Sequence, residues 1–158
     1  MTEAPATIVA VDDEEMVVKS LSLFLKLETD YSVKTFTVAS EALKFIAAAE
    51  VDLVMSDYLM PEMDGLKFLA RVRDLKPEVP RVILTGYADK ENAIKAINEV
   101  GLYQYIEKPW HNEDLRIIIR NGVEKKQLLQ KLREKMSEVT KAYEELMGIQ
   151  KEVLKAFV

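Results

Sequence analysis

The chain has 158 residues, 49% of them apolar and 31% charged, with a formal net charge of -5 and no cysteine. That length holds one ordinary domain and an extension. The missing thiols exclude disulfides and thiolate chemistry, no apolar run reaches the ~18 residues of a membrane span, and the negative balance disfavours nucleic acid as a direct partner. Met1-Thr2-Glu3-Ala4-Pro5 has neither the basic patch nor the apolar segment of a secretion signal. A cytoplasmic protein without membrane attachment is expected.

Apolar runs alternate with amphipathic stretches from the start. Thr7–Val11 predicts strand β1, and residues 14–27 predict helix α1, with Leu21, Phe24 and Leu25 at helical spacing. Tyr31–Phe36 alternates and predicts β2. Ser40 is the expected cap of α2 over residues 41–49, with Leu43, Ile46 and Ala47 facing inward. Leu53–Ser56 predicts β3, followed by the loop Met60-Pro61-Glu62-Met63-Asp64-Gly65 and α3 to about Leu75. Pro77 and Pro80 bracket a turn. Residues 81–84 predict β4, 90–100 predict α4 and 104–107 predict β5. Five βα units imply an α/β fold with a doubly wound parallel sheet.

The tail differs. From Asn112 to Val158 there is no proline, and the glycines are Gly122 and Gly148. Asn112 is the expected cap of α5, with Glu113 and Asp114 complementing the helix dipole. Apolar residues fall at Leu129, Leu132, Met136, Val139, Tyr143, Leu146, Val153 and Phe157, with Gln150 as a polar break. Run upstream, the register also meets Leu115 and Ile118, with Gly122 and Lys125 between. A helix of about 45 residues is roughly 65–70 Å long, more than a small domain covers. The heptads predict a coiled coil joining two copies, against the alternative of a helix folded back on its own chain. A parallel pair is preferred because both globular domains would then act along one axis, but the heptads alone decide neither orientation nor oligomer order. Met147, Ile149 and Leu154 widen the stripe late in the tail, as a higher oligomer or a packed further domain would require. The expected division is residues 1–122 for the globular domain and 123–158 for the helical segment. The heptads run to the end of the chain, so an output domain is expected beyond them, and the sequence does not name it.

Four polar elements each follow an apolar strand: Asp12-Asp13, Asp57, Thr85 and Lys108-Pro109. In an open parallel sheet the ligand sits at the carboxyl ends of the strands. Three carboxylates, a hydroxyl and an ammonium suit a divalent cation and a phosphoryl group. An acid pair before a helix also serves the helix dipole, so no element alone assigns the site. Their combination does.

Asp12-Asp13, Asp57-Tyr58-Leu59-Met60-Pro61 with Met63-Asp64-Gly65, Thr85-Gly86, Tyr105 and Lys108-Pro109 resemble, over about residues 6–122, the receiver domain of two-component response regulators. The resemblance implies a flavodoxin-like five-stranded sheet in the order 2-1-3-4-5. It implies that Asp57 accepts a phosphoryl group from a sensor histidine kinase or a phosphotransfer protein. Asp12, Asp13, Asp57 and the Leu59 carbonyl would hold Mg2+ or Mn2+. Thr85 and Lys108 would contact the phosphoryl oxygens, and Tyr105 would change rotamer with Thr85. The Lys108–Pro109 peptide would be cis. Leu59 and Tyr87 would flank the path of the hydrolytic water and tune the phosphoryl lifetime. Trp110 is expected to pack under the loop after β5 and His111 to lie on the surface. A dehalogenase-type phosphatase would need an acid where Leu59 stands. A receiver-like scaffold working without phosphorylation is the remaining alternative.

Overall fold

The computed structural model describes residues 4–157, with the side chain of Tyr87 outside that description. Strands β1 (Thr7–Val11), β2 (Ser32–Phe36), β3 (Leu53–Asp57), β4 (Arg81–Thr85) and β5 (Gln104–Glu107) form one parallel sheet in the order β2-β1-β3-β4-β5. Helices α1 (Glu15–Glu28), α2 (Ala39–Ala48), α3 (Gly65–Leu75), α4 (Lys90–Glu99) and α5 (Asn112–Ala156) complete the doubly wound, flavodoxin-like α/β fold. A 3-10 turn over Tyr87–Asp89, not foreseen in the sequence, leads into α4.

The central strands read as continuous apolar runs because both faces are covered. Along β1, Ile8 and Ala10 point to one side, with Leu21 and Leu25 of α1 and Leu115 and Ile119 of α5. Val9 and Val11 point to the other, with Ala42 and Ile46 of α2, Phe68 of α3 and Ala93 of α4. Strand alternation thus sorts one sequence run into two cores.

Three expectations need correction. Ser40 is not the cap of α2: the helix begins at Ala39 after Val38, and no side chain caps it. Ala47 is exposed, because the inward stripe of α2 is Ala39, Ala42 and Ile46. Asn112 is the first residue of α5 rather than its cap, with His111 before it accepting the Leu115 N–H at 3.0 Å.

The chain divides into a compact unit ending at Lys126 and a second beginning at Gln127. In the first, Leu115, Ile119, Gly122 and Val123 are buried. A Cβ at Gly122 would lie 2.6 Å from Leu53 Cδ1, so glycine lets α5 approach the sheet closely. Lys126 Nζ lies 3.0 Å from Asp52 Oδ1, and Asp52 Oδ2 accepts the Thr7 N–H at 2.8 Å. In the second unit the apolar tail positions are exposed.

Arg81 opens β4 and is buried. Its guanidinium donates to the carbonyls of Leu69 (3.1 Å), Val100 (3.0 Å) and Gly101 (2.9 Å). These bonds tie α3 and the end of α4 to the strand that carries Thr85. Arg81→Met keeps the aliphatic stem and removes all three. The expected loss is about 2–4 kcal/mol of unfolding free energy, read from urea midpoints. An unchanged midpoint would show that the guanidinium adds no stability.

Candidate functional site

The site begins with how the strands end. β1 stops at Val11, and the next residue, Asp12, is fully buried. Its N–H donates to the Phe36 carbonyl at 3.2 Å, and its Oδ1 accepts the Glu14 N–H at 3.0 Å. That second bond turns the chain into α1 and fixes the carboxylate. Asp13 beside it is exposed. Asp57 and Thr85 are the last residues of β3 and β4, so each strand runs one residue past its predicted end.

Backbone contacts hold Asp57 in place. The Tyr58 N–H points at the Leu84 carbonyl (2.9 Å) and at Asp57 Oδ1 (2.9 Å). The buried Ser56 hydroxyl donates to the Asp57 carbonyl at 3.0 Å. Gly65 N–H donates to the Tyr58 carbonyl at 2.8 Å, and a Cβ on Gly65 would overlap the Asp57 carbonyl. Asp64 caps α3 by accepting the Lys67 N–H at 2.8 Å. The loop therefore folds back tightly over the end of β3.

Lys108 closes the site. Its N–H donates to the Thr85 carbonyl at 2.8 Å, and the Lys108–Pro109 peptide is cis. Its Nζ lies 2.7 Å from Asp12 Oδ2 and 3.1 Å from Asp57 Oδ1. Carboxylate oxygens from Asp12, Asp13 and Asp57 all lie within 4.8 Å of one another. Hard oxygen donors at that spacing fit a divalent cation that keeps part of its water shell.

Burial pushes the Asp57 carboxyl above its ordinary range, the Lys108 hydrogen bond opposes this, and the Asp12 charge adds to the rise. Burial works against the Lys108 ammonium, but its bonds to Asp12 and Asp57 win and raise its pKa. The lysine therefore stays charged.

The other expected residues sit nearby in different ways. The Thr85 side chain is buried, and its hydroxyl donates to the Gly86 carbonyl at 3.1 Å rather than to Asp57 or Lys108. Tyr105 is half-buried against the core beneath α4. The Leu59 side chain is exposed, and the Tyr87 side chain lies outside the described residues. Trp110 is half-buried and packs on the α1–α5 core, while His111 is exposed.

The response regulator receiver domain family matches residues 8–120. The chain belongs to this family. Its receiver is 36% identical over 124 residues to the hydrogenase transcriptional regulatory protein HoxA of Cupriavidus necator, covering 78% of this chain and 25% of that protein. Among solved structures it is similar to the signal receiver domain of an HD domain-containing protein from Pseudomonas fluorescens Pf-5 (TM-score 0.76, 33% identity, 83% and 96% of the two chains). It is also similar to the adenylate cyclase structure from Rhodopirellula baltica (TM-score 0.79, 27% identity, 85% and 98%). The chain thus spans about a quarter of the length of HoxA. Receivers are signalling phospho-acceptor domains.

Ser56, Lys90 and Glu107 around the receiver's acidic site escaped the sequence reading, as did the close packing of Gly65 on Asp57. Ser56 looked like the end of an apolar run, and its bond to Asp57 shows only in three dimensions. Gly65 carried a signal in following the helix-capping Asp64. The ion pair between Lys90 Nζ and Glu107 Oε2 at 3.4 Å joins the start of α4 to the residue before Lys108.

Because the folded Asp57 carboxyl binds its proton more readily than the unfolded one, its charge subtracts stability once pH rises above its folded pKa. Below the unfolded value it subtracts none. In metal-free protein, Asp57→Asn should therefore melt a few degrees above wild type near neutrality. The gap should close as pH falls through the folded value toward the ordinary carboxylate range. Melting curves in chelator from about pH 4 to 8 test this. A gap that widens on acidification would contradict the assignment.

Proposed function

We propose that this chain is a phosphorylation-driven switch in which Asp57 accepts a phosphoryl group from the histidine of a sensor kinase or phosphotransfer protein. The observation that carries the reading is the Lys108 ammonium, 2.7 Å from Asp12 and 3.1 Å from Asp57, beside the three-carboxylate cluster. An Asp57 oxygen attacks phosphorus, the nitrogen–phosphorus bond breaks, and the departing imidazole takes the electron pair. The product is an acyl phosphate.

Asp12, Asp13, Asp57 and the Leu59 carbonyl would hold Mg2+ (or Mn2+), whose charge offsets that of the phosphoryl oxygens. Lys108 keeps its charge and contacts one of those oxygens. Thr85 releases the Gly86 carbonyl and turns to another. Tyr105 then moves into the space vacated. Lys108 N–H is bonded to the Thr85 carbonyl, so the change at β4 reaches β5 directly. Leu59 and Tyr87 restrict the hydrolytic water. No helix among the described residues is long and apolar enough to cross a membrane, and a cytoplasmic switch fits that.

The similar proteins include a transcriptional regulatory protein, an HD domain-containing protein and an adenylate cyclase. Outputs on this receiver type therefore vary, and the switch acts through a downstream domain or effector of a class not fixed by these residues. The tail joins two copies as a coiled coil, since its apolar heptad positions, such as Val139 and Leu146, are 68% and 63% exposed in a single chain.

Beryllofluoride with Mg2+ mimics the phosphoryl group. It should change Trp110 fluorescence saturably in the wild type and leave Asp57→Asn unchanged. Lys108→Ala should need about tenfold more beryllofluoride or beyond, because a charge-assisted bond is lost. A wild-type protein that neither responds nor takes label from a phosphodonor would remove the proposal.

Sedimentation tests the tail. The full chain should be dimeric at tens of micromolar without phosphorylation, and a chain ending at Lys126 should shift toward monomer. A monomeric full chain would contradict the coiled coil.

A further inference from the structure

We infer that the tail pairs with a second copy of this chain in parallel and in register, and that Gln150 sets this arrangement. The inference rests on the coiled-coil reading above and decides what the heptads alone leave open. Position a recurs every seven residues from Leu129 to Phe157, and position d from Leu132 to Val153. Upstream, Leu115 and Gly122 fall in the same register but are buried within the receiver unit. The free seam therefore starts at Leu129.

Gln150 occupies an a position and is exposed in the single chain. Every d position of this seam is apolar. In a parallel in-register pair, a faces a and d faces d. Gln150 then meets Gln150 of the second copy, and each amide can donate to the other's carbonyl oxygen. In an antiparallel pair, a faces d. Gln150 would then be buried against leucine or valine with its amide unsatisfied, which disfavours that pairing. A parallel pair shifted by one heptad would likewise set Gln150 against Tyr143 or Phe157. Tyr143, also at a, can carry its hydroxyl past the seam to water.

The flanking positions give independent support. In a parallel pair, each g residue lies beside the e residue five further along the second copy. Here that sets Ala142 against Met147 and Ile149 against Leu154. The apolar residues that widen the late stripe thus cover one another. The charged flanks fall earlier: Lys135, which bonds Glu138 of its own helix at 3.3 Å, comes beside Thr140, and no like charges meet.

The chain has no cysteine, so a single introduced thiol reports one position. Leu132→Cys and Val153→Cys, each in the full chain, should both form disulfide-linked homodimers under mild oxidation. Lys141→Cys on the outer face should not. An antiparallel pair can bring at most one of the two seam positions to its centre, since they lie about 30 Å apart along the helix. Dimers by sedimentation in which one or neither position cross-links would overturn the parallel register. Trimers or larger species in the wild type would overturn the two-copy seam. A monomer would instead remove the underlying coiled coil. Gln150→Leu should lose the exclusive dimer and populate larger species. A pure dimer with unchanged cross-linking in that variant would remove Gln150 as the determinant.

Discussion

The Lys108 ammonium between the carboxylates of Asp12 and Asp57 is the interaction on which this molecule turns. Three acids with oxygens within 4.8 Å of one another repel strongly, and Asp12 is fully buried. The lysine, at 2.7 and 3.1 Å, makes that crowding tolerable in the absence of a cation. It does not neutralise it. Three carboxylates against one ammonium leave negative charge in excess, and burial already pushes the Asp57 carboxyl upward. A site with surplus negative oxygen donors and one fixed positive group suits a divalent cation first and a phosphoryl oxygen second. That charge crowding is what a divalent cation would relieve.

The parallel sheet makes this arrangement possible. Asp57 is paired in register with Leu84, and Thr85 with Glu107. Moving from β3 to β4 to β5, Asp57, Thr85 and Lys108 lie one step apart across neighbouring strand ends. Backbone bonds then link them: Tyr58 to Leu84, and Lys108 to Thr85. Neighbouring strand ends are therefore tied by main chain rather than by flexible side chains. Arg81 fixes the opposite end of β4 through three carbonyls. The 3-10 turn after Gly86 connects that strand end to α4, and the Lys90–Glu107 pair spans the same gap.

Much of this was legible in the sequence, for a physical reason. Strands buried on both faces must be apolar throughout, so a polar residue at their carboxyl end stands out. That is how Asp12, Asp57, Thr85 and Lys108 could be picked from residues far apart. What escaped depended on contacts without periodicity. Arg81 read as an ordinary strand residue, yet it is buried, because its donors find a turn at the end of α4. Gly65 read as loop, yet it lies where a side chain would strike the Asp57 carbonyl. Ser40 offered a familiar capping hydroxyl, but α2 starts a residue earlier and does without one.

The tail shows the limit of periodicity from another side. Leu115 and Gly122 occupy the same heptad position as Leu129 and Met136, so a pattern search runs through all four without a break. Burial separates them. The first two are consumed by the receiver's own core, where Gly122 admits Leu53 and Tyr103 at close range. The last two are exposed. A seven-residue repeat records only that one stripe of a helix is apolar. It does not record which surface covers the stripe, and along α5 that surface changes between Lys126 and Gln127. Where covering changes but periodicity does not, the deciding evidence is the residue that breaks the pattern. Gly122 has no side chain where close packing forbids one. Gln150 puts a polar side chain on a stripe that is otherwise apolar from Leu129 to Phe157.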